Sequence, residues 1–383
     1  MSPATDQGGP RVGTGARPGP VGLVHDYLLV MRGAERTFAE IAACWPEAPI
    51  YTTLYSAKAT YGALAGRDIS TSRMQRLGLS QRGFRRALPL YADAVGWLPV
   101  ENHQLIVSSS SAFAHHVRPS PGAIHACYCH TPFRYAWHER ERALAEVPRT
   151  MRPGLRRWLV RARRQDLEAA ARVSGFIANS ELTRSRIAAI YGRNCQIVHP
   201  PVEVGRFERP RETTDGGEHF LVVSELVAHK RVEVAIKAAA VARVPLVIVG
   251  DGPERASLEA LAGPEVVFRG RVTDEEIVRL YCSARAVIVT AVEEFGIVAV
   301  EAQAAGVPVI APAAGGASET VLHGASGLLL DSFDPGRVAA AISRLESAGF
   351  NPRVGVENAR RFAPERFRER LVAAVSRIAE SSG

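Results

Sequence analysis

Glu293-Glu294-Phe295-Gly296-Ile297-Val298-Ala299-Val300-Glu301 follows directly on the apolar, β-branched run Ala286–Thr290. A strand, an acidic turn containing glycine and a helix beginning near Ile297 bring free backbone N–H groups and a positive dipole end to one place. Such a place suits a phosphate. Glu301, within the first turns of that helix, can reach back as an acceptor for sugar or ribose hydroxyls, and Glu293 on the turn faces the same crevice. Open parallel sheets bind ligands at the carboxyl ends of their strands, where this turn lies. Acidic residues also favour a helix N-terminus for its own sake, so the stretch alone leaves both readings open.

Outward from it, short apolar runs alternate with segments of helical period along the chain, the pattern of parallel sheets with crossover helices. The expected strands of the first half are Val21–Tyr27, Ile50–Leu54, Gln104–Ser108, Ile124–Cys129, Gly175–Ala178 and Gln196–His199. In the second half they are Phe220–Ser224, Leu246–Gly250, Val266–Arg269, Ala286–Thr290, Val309–Ala311 and Gly327–Leu330. His199-Pro200-Pro201-Val202 and the charged stretch Arg206–Glu218 suit neither a central strand nor a helix interior, so a boundary between two domains falls near residues 200–218. The domains then span 21–205 and 206–361, and residues 362–383 carry a last helix with Phe367, Leu371, Ala374, Val375 and Ile378 at helical spacing. That helix can pack on either domain.

The chain has 383 residues, 46% hydrophobic and 22% charged, which fits a globular protein of two domains and excludes disorder as a whole. There is no apolar run long enough to cross a bilayer as a helix. Residues 1–20 are Gly/Pro-rich and lack the apolar stretch of a secretory signal, so they read as a disordered tail on a cytoplasmic protein. The five cysteines are scattered and odd in number, which suggests reduced thiols. A net charge of +8 favours an anionic partner without choosing one.

Other motifs accompany the first. Val223-Ser224-Glu225-Leu226-Val227-Ala228-His229-Lys230-Arg231 and Val249-Gly250-Asp251-Gly252-Pro253 close two strands, and Gly315-Gly316-Ala317-Ser318-Glu319-Thr320 opens a short helix. In this order, with Glu-x7-Glu around Phe-Gly, they resemble glycosyltransferase family 4, retaining enzymes of the GT-B fold. In that α/β fold two Rossmann-like parallel-sheet domains face each other across the active-site cleft. Val24-His25-Asp26-Tyr27-Leu28 with Arg32-Gly33-Ala34-Glu35-Arg36, and Cys127-Tyr128-Cys129-His130-Thr131-Pro132-Phe133-Arg134, look like its bacterial mannosyltransferase-like branch.

The resemblance implies that Glu293 contacts the donor sugar and Glu301 the ribose of the nucleotide, both through charge-assisted hydrogen bonds. It implies that amides around Phe295, Gly296 and Ile297 meet the donor, as does the Gly33 loop. It also implies that Lys230 and Arg231 neutralise the diphosphate, that His130 contacts the sugar, and that no catalytic metal is needed. Catalytic roles then fall to His130, Glu293 and Lys230. GDP-mannose is the favoured donor, and a glycan or glycolipid hydroxyl the acceptor.

Two positions depart from the commonest family pattern. Glu225 stands where an arginine is usual, and Arg32-Gly33 where a Gly-Gly pair is usual. A carboxylate about 4 Å from a phosphate charge costs about 4 kcal/mol at an effective dielectric of 20. Glu225 must therefore point away or be paired, for which Arg231 is a candidate, and Arg32 either turns a cation toward phosphate or restricts acceptor approach.

Cys127, Cys129 and His130 lack the further ligands a zinc site needs and read as two core cysteines and one site histidine. Between Arg149 and Arg172, Leu155, Trp158, Leu159 and Ala162 fit one helical face and Arg157, Arg161 and Arg164 another. With Arg73, Arg76, Arg82, Arg85 and Arg86 this basic face could meet an anionic membrane surface at the inner side of the membrane; a solvated face accounts for the same pattern. Nucleic acid is not expected, since no reader module accompanies the charge. The rivals are a nucleotide-sugar epimerase of the same fold and a non-catalytic donor-binding or scaffold protein. A dehydrogenase lacks its Gly-x-Gly-x-x-Gly.

Overall fold

The computed structural model describes residues 20–60, 62–79, 83, 87–207, 217–348 and 350–382. The N-terminal tail up to residue 19, residues 208–216 of the linker, and Arg82, Arg85 and Arg86 lie outside them. The first half runs β1 Val21–His25, α1 Gly33–Cys44, β2 Ile50–Thr52, β3 Ile69–Thr71, α2 Leu88–Gly96, β4 Leu105–Ser110 and β5 Ile124–Cys129. It continues with α3 Arg140–Ala145, α4 Arg152–Ala170, β6 Gly175–Ala178, α5 Glu181–Tyr191 and β7 Gln196–Ile197. The second half runs β8 His219–Val223, α6 Val232–Ala242, β9 Leu246–Val249, α7 Arg255–Leu261, β10 Val266–Gly270, α8 Asp274–Ser283 and β11 Ala284–Ile288. After these come α9 Ile297–Ala304, β12 Val309–Pro312, α10 Ala317–Thr320, β13 Gly327–Leu330, α11 Pro335–Ala348, α12 Pro352–Ala359 and α13 Pro364–Ser382.

The first sheet is parallel in the order β3-β2-β1-β4-β5-β6-β7, the second in the order β10-β9-β8-β11-β12-β13. In each, the order reverses beside the first strand of its half, between β1 and β4 and between β8 and β11, and such a switch point opens a crevice at the carboxyl ends. Helices cover both faces, and a strand such as Leu246-Val247-Ile248-Val249 is accordingly apolar and buried at every position. Edge strand β3, Ile-Ser-Thr and half-buried, has no such run and is absent from the strands expected of the sequence. Strand β11 begins at Ala284, two residues before the expected start, because its pairing with β8 shifts register between Ala284 and Ala286.

Helix α13 returns to the first sheet. Its Phe367, Leu371, Ala374, Val375 and Ile378 pack in one core with Leu23, Phe38 and Tyr128, and Arg368 reaches Glu40 of α1 at 2.7 Å. Along α4, Leu159 and Ala162 are buried while Arg157, Arg161 and Arg164 are exposed. Among the described residues no helix is long and apolar enough to cross a membrane.

Candidate active site

At the second switch point, Ser224, Lys230, Thr290, Glu293 and Val298 line a narrow crevice between the ends of β8 and β11. Lys230 ends a tight turn whose carbonyl accepts the Thr290 hydroxyl, which ties the β8 loop to the end of β11. Its ammonium meets Glu293 Oε1 at 2.5 Å, so the two residues expected to serve phosphate and sugar stand side by side. Gly296 holds φ 81° as the N-cap of α9, a left-handed conformation that glycine adopts without steric cost. Phe295 is buried against His199 and Phe362, so only its backbone can serve a ligand. Gly316 explains the second glycine-rich turn: a Cβ there would lie 1.9 Å from the Phe295 carbonyl oxygen, and the Gly316 N–H donates to Glu293 O at 2.9 Å.

Glu301 lies further along α9 in a second crevice with Arg36, Glu203, Arg206 and Ile297. Tyr281 donates its hydroxyl to Oε2 at 2.8 Å, and no partner among the described residues takes Oε1. Burial raises the carboxyl above its usual range, against the opposing effects of Tyr281 and of Arg206 and Arg36. The open oxygen is therefore an acceptor whose direction the tyrosine fixes.

Arg231 turns elsewhere. It takes φ 51° ahead of α6, and its guanidinium donates to the Phe333 carbonyl at 3.0 Å. The expected partnership with Glu225 does not form, because Arg32 from the first domain occupies that carboxylate at 3.4 Å. The two departures from the family pattern are thus partners in space.

The first domain forms the facing wall. His130, at the end of β5, is buried and bonds Ser109 Oγ through Nε2 at 2.9 Å. Burial lowers its pKa to about 4, with Glu294 of the opposite domain acting to raise it and Arg134 to lower it, so the ring is neutral at ordinary pH. His25 is buried and stacked on Phe38, and its pKa is lowered to about 3 by burial and by His130. Gly33 places the β1–α1 loop against α9, since a Cβ there would stand 3.0 Å from Ile297 Cδ1.

Among the described residues four acid–base pairs cross the cleft: Arg32–Glu225, Arg36–Asp274 at 4.0 Å, Arg186–Glu294 at 2.9 Å and His199–Glu319 at 2.8 Å. In each the base comes from the first domain or its linker and the acid from the second. Glu319 also accepts the Glu181 N–H at the start of α5, at 2.8 Å. Burial alone would push the Glu294 carboxyl up; Arg134 and Arg186 outweigh it and hold the group below the usual range.

Sequence reading missed several of these residues. Asp26, fully buried, accepts the N–H groups of Ser111, Ala112, Phe113 and Ala114 and so anchors the turn after β4. Only its place after an apolar strand beside His25 could have signalled it. Arg134 and Arg186 also escaped, since the carboxylate they both act on, Glu294, lies on the other domain. His115, His116 and Asp166 bring metal-ligating atoms together. Asp166 already accepts from His115 at 3.0 Å, Trp137 at 2.7 Å and Tyr191 at 2.9 Å, which identifies a buried structural hub. Cys127 and Cys129 are core residues with pKa values raised by burial. A roomier cavity of about 490 Å³, lined by Met74, Leu90 and Trp97 among others, belongs to the first domain and includes none of these site residues.

Two Rossmann-like parallel-sheet domains meeting across this cleft are the architecture of the GT-B fold. Residues 206–362, most of the second domain, match the family model of glycosyl transferases group 1. The chain is 31% identical over 251 residues to D-inositol 3-phosphate glycosyltransferase of a Nocardioides species, covering 52% of this chain and 54% of that protein. It is 37% identical over 197 residues to the GDP-mannose-dependent alpha-(1-6)-phosphatidylinositol monomannoside mannosyltransferase of Mycobacterium tuberculosis, covering 43% of this chain and 51% of that one. The chain spans about half the length of the curated relatives it matches. Among solved structures, Anabaena HepE in complex with UDP-glucose aligns at TM-score 0.65 and 19% identity over 93% of this chain and 99% of that one. Sucrose-phosphate synthase from Thermosynechococcus elongatus aligns at TM-score 0.69 and 17% identity over 94% and 99%. At these identities the structures establish a shared fold.

Proposed function

We propose that the chain is a retaining glycosyltransferase that moves a hexose, in the first instance mannose from GDP-mannose, to a hydroxyl of a glycan or glycolipid acceptor without a metal ion. The observation that carries this reading is the convergence of Lys230, Glu293 and the N-terminus of α9 at a switch point, with Glu301 beyond them on the same helix. Lys230 and the α9 amides suit a diphosphate, Glu293 a sugar hydroxyl and Glu301 Oε1 a ribose hydroxyl. A relative whose name specifies GDP-mannose favours that donor.

In this mechanism the bond between the sugar's anomeric carbon and the diphosphate oxygen breaks while Lys230 stabilises the developing charge. The acceptor hydroxyl attacks from the same face and passes its proton to the departing phosphate oxygen. Neutral His130 and the Glu293 carboxylate orient the sugar. Lys230 and the helix amides of the seat take the place of a divalent ion in this reading.

Calorimetric titration of the full chain with GDP, UDP, ADP and dTDP and their sugar conjugates, without added metal, tests the donor. Selective binding of GDP and GDP-mannose is expected, whereas binding of none would leave a scaffold role. With a transferring acceptor, Glu301→Ala should raise the donor KM about tenfold or more, and Lys230→Ala should lower kcat/KM by about a hundredfold. Wild-type kinetics for both would overturn the site assignment.

A further inference from the structure

Resting on that reading, we infer that Arg32 is a second ligand for the donor diphosphate, delivered from the first domain and held in readiness by Glu225. Arg32 stands immediately before α1, and its neighbour Gly33 lies against Ile297, the first residue of α9. Glu225 follows β8 by two residues, next to Ser224, which lines the crevice with Lys230 and Glu293. A guanidinium on Glu225 therefore stands at the rim of the phosphate seat.

Both cations at this rim are occupied by carboxylates, Lys230 by Glu293 and Arg32 by Glu225. The Arg32 contact is a single one at 3.4 Å with both side chains about half exposed, at 54% and 44%. An exposed pair of this kind adds little to stability and exchanges readily. A diphosphate carries more charge than a carboxylate and matches the guanidinium fork, so it outcompetes Glu225 for Arg32. Glu225 then has a definite function: it parks the cation and is displaced by the donor. Because Arg32 belongs to one domain and Lys230 to the other, one ligand would draw on both walls of the cleft.

The pair tells this role apart from that of a strut between domains. A strut loses equally from either end. A diphosphate ligand with a competing carboxylate predicts opposite signs for the two ends. The experiment is calorimetric titration of the full chain with GDP and UDP, with guanosine and uridine as phosphate-free controls, on the wild type, Arg32→Ala, Arg32→Lys, Glu225→Gln and the double variant Arg32→Ala/Glu225→Gln. Arg32→Ala should weaken the diphosphate about tenfold or more and leave the nucleoside unchanged, with Arg32→Lys between it and the wild type. Glu225→Gln should bind the diphosphate as well as or better than the wild type, and the double variant should behave like Arg32→Ala. Equal losses in Arg32→Ala and Glu225→Gln, or no loss in Arg32→Ala, would overturn the inference while the donor site stands. Failure of the wild type to bind either nucleotide would remove the proposed function and this inference together. Both positions are exposed, and matching thermal melts confirm that the variants fold.

Discussion

His130 illustrates how one residue's chemistry is set by what covers it. With its ring buried, its pKa falls to about 4, and it cannot act as a cation or a titrating acid under ordinary assay conditions. Its contribution is a fixed hydrogen-bonding edge at the end of β5. Replacing it by Gln should lower kcat/KM without changing the shape of the pH profile between about pH 6 and 8. A new or lost inflection in that range would assign it an acid–base role instead. The sequence placed His130 after a strand and before Pro132, and the family resemblance made it a site candidate. Its neutrality was not legible there, because it depends on side chains from distant segments.

At the scale of elements, the β11–α9 unit is built by close backbone approach. The Glu293–Phe295 turn lies so near Gly315 and Gly316 that a Cβ at Gly316 would fall 1.9 Å from the Phe295 carbonyl oxygen. Backbone cannot yield as a side-chain tip does. Gly316→Ala should therefore destabilise the second domain by about 1–3 kcal/mol, lowering its Tm by about 2–4 °C per kcal/mol, and weaken donor binding by moving the α9 turn. Gly205→Ala, which meets nothing within 4 Å, serves as the control. Equal melting temperatures for the two variants would refute the account. The strand–turn–helix order around residues 286–301 was readable because parallel strands buried on both faces are continuous apolar runs. Strand β3 was not, since an edge strand of three half-buried residues leaves no such run.

Across the whole molecule, buried titratable groups are concentrated in the first domain. Burial lowers His25 and His125 to about 3 and His116 and His130 to about 4, against an ordinary value of 6.5. The unfolded chain thus binds more protons below about pH 6.5, and stability is lost as pH falls from there towards 4 and then 3. Glu35, raised to about 7 by burial, acts with the opposite sign, as do Asp26 and Glu40, whose carboxyls burial also raises, against six lowered histidines once His103 and His138 are included. Urea unfolding followed from pH 7.5 to about pH 4.5 should show a falling midpoint for the first domain; an unchanged midpoint would contradict the burial of these rings. The sequence by itself determined the two parallel sheets, and through a motif order that resembles a known family it brought forward Lys230, Glu293 and Glu301 as candidates. These follow from apolar periodicity, turn chemistry and a motif order that lie within short stretches of chain. Only the tertiary structure decided the return of α13 to the first core, the pairing of Arg32 with Glu225, and the cleft pairs in which the first domain gives the base and the second the acid. Arg32 and Glu225 are 193 residues apart, and partners at that distance are chosen by how two folded domains face each other, which no local pattern encodes.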